Sequence, residues 1–172
     1  MIKLYLDFDG VILDTIDKTY EFMKKNNIVE PEDINSYYLN LNWDDLINND
    51  CEQINDSITN IKKLLDSKLF DISILTHVNS SNEANAKINY LHKMLGNIEV
   101  IPVDYNLNKC DVVDCKNTIL VDDYIVNLDK WFEKGGIPVK FSDSGKQCNY
   151  LSITRLDDLL NKYNEIKAMQ SL

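Results

Sequence analysis

Two pairs of carboxylates could do chemistry together: Asp7 and Asp9 near the start of the chain, Asp122 and Asp123 toward its end. Like charges gathered in one site hold either a proton or a cation. Mg²⁺ suits such a site, since it takes oxygen ligands in octahedral geometry and keeps waters and phosphate oxygens in its shell. A carboxylate such as Asp7 can be a covalent nucleophile toward phosphorus. A second acid beside it, Asp9, can protonate a leaving oxygen and later activate water. A hydroxyl and a lysine would neutralise the transferring group, and Thr76 and Lys109 are the candidates. Hydrolysis of phosphate monoesters, among the slowest of uncatalysed reactions, needs such a set. Taken alone, Asp7-Phe8-Asp9-Gly10 reads more often as a turn. It is not a calcium-binding EF-hand loop, because Asp14 and Asp17 do not supply the further oxygens at the required offsets.

These groups need elements to position them. Ile2, Leu4, Tyr5, Leu6 and Phe8 form an apolar run too short for a core helix, so it reads as a buried strand with its acids at the end. Gly10 lets the chain turn there. In an ideal strand Asp7 and Asp9 would face the same way, and a bend at the strand end can part them. Further strands are expected over Phe70–Thr76, Ile98–Val103, Thr118–Val121 and Pro138–Phe141, the last at an edge because proline lacks a ladder donor. Helices are expected between them. One is marked by Ile54, Ile58, Ile61 and Leu65, and one starts at Ser80 or Ser81 and stops at Gly96. Lys109–Val113 reads as a short turn. Another helix runs to about Lys134 before Gly135-Gly136, and a closing helix spans Leu156–Met169. Alternating strands and helices imply an α/β architecture, a Rossmann-like parallel sheet sandwiched by helices. Asp7/Asp9, Thr76 and Asp122/Asp123 then all fall at carboxyl ends of strands, where such sheets bind ligands.

Between the first two strands the chain is longer than a crossover needs. Ile16, Tyr20 and Met23 mark one helix, Pro31–Tyr38 a second and Trp43–Ile47 a further turn. We read residues 15–60 as a small helical cap inserted into a core of residues 1–14 and 61–172. Tyr37, Tyr38 and Trp43 either make the insert's own core or face the cleft.

The 172 residues suit one domain with a small insert. A net charge of −10 argues against binding a nucleic-acid polymer. It permits a small phosphorylated substrate, since a bound cation inverts the local sign. Cys51, Cys110, Cys115 and Cys148 contain no Cys-x-x-Cys pair and, with two histidines, no zinc pattern. They read as reduced thiols of a cytoplasmic protein. The apolar start is interrupted by Lys3, Asp7 and Asp9, so no signal peptide or membrane span is expected.

Leu-Asp-Phe-Asp-Gly-Val-Ile-Leu-Asp, then Ile-Leu-Thr, a lysine and Ile-Leu-Val-Asp-Asp resemble, in order, the motifs of the haloacid dehalogenase (HAD) superfamily of aspartyl-phosphate phosphatases. The resemblance implies Asp7 as nucleophile, Asp9 as general acid/base and Thr76 as a phosphate ligand. It implies a Mg²⁺ held by Asp7, the Asp9 main-chain carbonyl, Asp122 and Asp123. Val121 to Trp131 followed by Gly135-Gly136 resembles the 5′(3′)-deoxyribonucleotidase-type branch, which implies a nucleoside monophosphate as substrate. Sugar phosphates, other small esters and phosphotransfer would use the same residues. That branch has a serine after the threonine, whereas His77 stands here, at a phosphate-binding position and read as a hydrogen-bonding loop residue. The family lysine falls on Lys109 or Lys116. Lys116 would lie at the sheet's far end, which favours Lys109. A non-enzymatic alternative is a receiver-like or catalytically silent phosphoryl-binding domain. Receivers carry the acid pair before the lysine, opposite to the order here.

Overall fold

The computed structural model describes residues 1–146 and 148–170. Six parallel strands form one sheet: β1 (Ile2–Leu6), β2 (Phe70–Val78), β3 (Glu99–Asp104), β4 (Ile119–Asp122), β5 (Ile137–Phe141) and β6 (Leu151–Ile153), in the order β3-β2-β1-β4-β5-β6. The helices are α1 (Thr15–Lys25), α2 (Pro31–Asn40), α3 (Trp43–Asp45), α4 (Ser57–Ser67), α5 (Ser81–Leu95), α6 (Ile125–Glu133), α7 (Asp158–Asn161) and α8 (Tyr163–Met169). Leu46–Asp50 continues α3 as a wider π-helical turn, and Lys109–Asp111 is a 3₁₀ turn. The architecture is the expected Rossmann-like α/β sandwich.

β1 sits in the middle, and its alternation divides the core. Ile2, Leu4 and Leu6 join the larger apolar cluster with Ile58, Ile61 and Leu64 of α4 and Leu91 of α5, while Tyr5 joins Leu120, Leu128 and Trp131 under α6. In α4 the buried stripe runs through Leu64, and Leu65, expected inside, is 37% exposed.

Four further expectations need correction. β5 is not an edge strand, because β6 pairs with it on the outer side. The proline is tolerated there for a geometric reason. Ile137 N–H donates to Thr118 O on the β4 side, so Pro138 N faces the other way, and pairing with β6 begins only at Val139↔Leu151. β6 itself was unexpected, since three residues carry almost no periodicity. The closing helix is two short helices that part at Lys162. Finally, Cys110 and Cys115 form a disulfide, while Cys51 and Cys148 are free. The Lys109–Asp111 turn folds the chain back, bringing the two cysteine Cα atoms to 5.6 Å.

Candidate active site

Parallel pairing carries the strand ends to one edge of the sheet. Leu6 pairs with Ile74 on one side and Val121 on the other, and Asp7 N–H continues the ladder to Val121 O. Asp7, Thr76 and Asp122 therefore arrive together. Past Asp7 the chain closes a tight turn in which the Phe8 carbonyl accepts from the N–H groups of Val11, Ile12 and Leu13. Gly10 takes φ 70° in this turn. A Cβ at that position would lie 2.3 Å from Asp123 Oδ2, so glycine also lets that carboxylate approach.

The turn parts the two leading acids. Asp7 is buried against Lys109, whose Nζ lies 2.9 Å from Asp7 Oδ1 and 2.7 Å from Asp122 Oδ2. Asp122 is held from both sides: its Oδ1 accepts from Tyr124 N–H (2.8 Å), and its Oδ2 accepts from Asn127 Nδ2 (2.9 Å). Lys140 Nζ donates to the Asp123 main-chain carbonyl. One carboxylate oxygen each from Asp7, Asp122 and Asp123 lies within 4.8 Å of the other two.

Asp9 points elsewhere. Its Oδ1 accepts from Thr15 Oγ1 (2.7 Å), and its Oδ2 from Lys87 Nζ (2.6 Å) and Thr76 Oγ1 (3.3 Å). Lys87, of α5, was not anticipated. It is fully buried and also donates to Glu83 Oε1 (2.7 Å) and the His77 carbonyl (2.9 Å). A signal for it was present in the chain. Glu83, Ala86, Lys87, Tyr90 and Leu91 are the buried residues of α5, a helical stripe with an i,i+4 Glu–Lys pair inside it. His77 lines the cavity and donates its Nε2 proton to Leu107 O at 2.9 Å. Lys116, the other candidate, is exposed beside the start of β4.

Burial pushes the Asp7 carboxyl up, with Lys109 opposing. Burial and the neighbouring Asp122 push Asp123 up to about 7. Burial alone would lower the Lys109 and Lys87 ammonium groups, but their carboxylate partners outweigh it and hold both above the usual lysine value. Burial, then Lys109, lowers His77. This pattern is what a cation would relieve: carboxyls crowded beyond what Lys109 and Lys140 compensate. Asp7 Oδ1 is buried and, among the described residues, receives no aligned hydrogen bond despite its contact with Lys109. The donor set is all oxygen, as Mg²⁺ prefers.

A cavity of about 260 Å³ opens onto Asp7, Asp9 and Asp123. Its far wall comes from α1 (Thr15, Ile16, Thr19, Tyr20), Tyr38 of α2 and Trp43 of α3. Tyr38 stacks on Trp43 with ring centroids 6.1 Å apart. Tyr37 turns away and stacks on Phe22. Trp43 is almost wholly buried, so it serves both the core and the cavity wall.

No protein-family model and no curated relative matches the sequence. Solved structures do match in shape. A HAD hydrolase of family IA, variant 3, from Entamoeba histolytica aligns over 100% of both chains (TM-score 0.65, 13% identity). A HAD phosphatase from Thermococcus onnurineus also aligns over 100% of both chains (TM-score 0.62, 16% identity). A D,D-heptose 1,7-bisphosphate phosphatase from B. bronchiseptica, complexed with magnesium and phosphate, aligns over 96% of this chain and 99% of its own (TM-score 0.57, 12% identity). The chain has the α/β fold of the HAD hydrolases and phosphatases.

Proposed function

We propose that this protein is a Mg²⁺-dependent phosphomonoesterase that works through an aspartyl-phosphate on Asp7. The observation carrying the proposal is the set Asp7, Lys109, Asp122 and Asp123 at one sheet edge, with Asp9 parted from it by the turn. A neighbour in shape holds magnesium and phosphate, which supports the same cation here. Asp7, Asp122 and Asp123, with the Asp9 main-chain carbonyl, would hold the ion. When bound, it supplies positive charge to the non-bridging phosphate oxygens.

Asp7, exposed to the cavity on one side, attacks phosphorus. Lys109 keeps Asp7 oriented and adds positive charge beside the transferring group. Thr76 Oγ1 offers that group a hydroxyl. Asp9 gives a proton to the leaving oxygen and afterwards takes one from the water that cleaves the acyl phosphate. Thr15 and Lys87 fix its carboxylate for both tasks. Residues 15–60 form a cap, and its helices α1–α3 shield the acyl phosphate from bulk water.

For the substrate we propose a small phosphate ester, a nucleoside monophosphate being the best fit. The Tyr38–Trp43 stack gives a nucleobase a face beside the carboxylates. A sugar monophosphate is the second reading, favoured by hydroxyl and amide groups (Thr19, Asn79, Asn127) around the same cavity. A Mg²⁺ phosphatase screen over nucleotides, sugar phosphates and an aryl phosphate tests the proposal. Asp7→Asn should abolish turnover and keep the fold. Full activity in that variant, or undiminished activity in EDTA, refutes the mechanism.

A further inference from the structure

We infer that the cavity admits substrates bearing a single phosphate on an uncharged leaving group, and rejects bisphosphates and nucleoside di- and triphosphates. The inference rests on the phosphatase reading and adds a charge rule to it. Four carboxylates line the cavity, Asp7, Asp9, Glu83 and Asp123, and among the described residues no lysine or arginine lines it. Three lysines lie nearby, and each is already engaged. Lys109 is buried between Asp7 and Asp122, Lys87 between Asp9 and Glu83, and Lys140 donates to the Asp123 main-chain carbonyl outside the cavity lining.

A first phosphate would be compensated at the Asp7 end, where a bound cation would add its charge to that of Lys109. Beyond it the wall offers hydroxyls, amides and rings, Thr19, Tyr20, Tyr38, Asn79 and Asn127 among them, and His77, whose Nε2 proton is already given to Leu107 O. Such groups hydrogen-bond a polyol or nucleoside and stack on a ring, but none balances a second dianion. That dianion would face the Asp9–Lys87–Glu83 cluster, which holds two carboxylates to one ammonium. Like charges brought together across a recognition surface are strongly disfavoured, and here the cavity wall partly excludes water and its screening.

The test compares matched pairs on one scaffold, such as a nucleoside 5′-monophosphate with its 3′,5′-bisphosphate and fructose 6-phosphate with fructose 1,6-bisphosphate. Each is assayed with the intact protein and saturating Mg²⁺. The monophosphate should lead by about tenfold or more in kcat/KM, and the lead should shrink as salt rises from about 0.02 M to about 0.5 M. Tyr20, 60% exposed on the rim, offers the converse test. Tyr20→Lys should move the bisphosphate-to-monophosphate ratio toward the bisphosphate by about tenfold. Bisphosphates turned over as fast as monophosphates would overturn the charge rule and leave the phosphatase reading standing. So would a preference that neither salt nor Tyr20→Lys alters, since that reports size and not charge. Absence of Mg²⁺-dependent turnover on every phosphate, the aryl ester included, would overturn both.

Discussion

Replacing Lys87 by methionine should separate what this residue does for the fold from what it does for Asp9. The ammonium is fully buried and lies 2.6 Å from Asp9 Oδ2, 2.7 Å from Glu83 Oε1 and 2.9 Å from the His77 carbonyl. Methionine fills much the same volume but leaves the almost wholly buried Glu83 carboxylate without its cation. Breaking one side of a buried pair costs about 3–5 kcal/mol. In a domain of this size, about 1 kcal/mol moves Tm by about 2–4 °C, so a drop of roughly 6–20 °C is expected. Adding Glu83→Gln removes the stranded charge and keeps an amide oxygen for Asn79 N–H, which Glu83 Oε2 accepts at 2.7 Å. The double variant should regain most of the lost stability by urea denaturation. It should not regain turnover, because Asp9 keeps Thr15 but has lost the lysine that fixes its other oxygen. The deficit should fall most heavily on esters with poor leaving groups, which depend on proton delivery. A single variant within about 1 kcal/mol of the parent would refute the energetic argument. A double variant with full activity on poor leaving groups would refute the positioning role.

Asp9→Asn should retain Mg²⁺ binding, measured calorimetrically, and lose most turnover on alkyl phosphates while an activated aryl phosphate shows the smaller loss in burst kinetics. Mg²⁺ should raise Tm more at pH 8 than at pH 5.5. Asp123, with its carboxyl near 7, must lose its proton to bind the ion. The sign follows from its raised value: without metal, its contribution to stability falls as pH climbs from about 4 toward about 7, and the cation removes that penalty. A Mg²⁺ shift independent of pH would exclude Asp123 from the metal site. Tyr38→Ala should raise KM for nucleoside monophosphates about tenfold, some 1.4 kcal/mol, and leave acetyl phosphate hydrolysis nearly unchanged. Equal effects on both substrates would remove the nucleobase from the Tyr38–Trp43 wall.

The convergence of the candidate residues was legible where chemistry and strand ends coincide. Asp7, Thr76, Asp122 and Lys109 could be placed because parallel pairing brings carboxyl ends to one edge whatever the loops do. The lysine choice turned on the same geometry, since Lys116 enters β4 from the far end. Lys87 was passed over because a lysine on a helix reads as a solvated residue, although here it occupies the apolar stripe of α5. Pro138 misled because the missing donor was taken as a property of the strand, when it concerns one side of one residue. The Cys110–Cys115 bond was hidden because its geometry depends on how the Lys109–Asp111 turn folds, which spacing alone does not express. The break at Lys162 splits a stretch whose apolar spacing continues across it.

The central position of β1 also fixes when the candidate site can exist. Its partners begin at Phe70 and Ile119, so the strand that carries the proposed nucleophile is made before both of its neighbours and is flanked on both sides only once β4 has followed. Until β4 has emerged and docked, Asp7 has neither Lys109 nor Asp122 beside it. A cation bound as proposed would therefore secure the finished sheet and not nucleate it, and folding waits on closure of long loops, a slow class of event. The loop between β1 and β2 already spans α1 to α4, and lengthening such a loop costs little, roughly 0.6 kcal/mol per doubling. The cavity wall can thus be lengthened or rebuilt at small cost while the strand ends beneath it stay as they are.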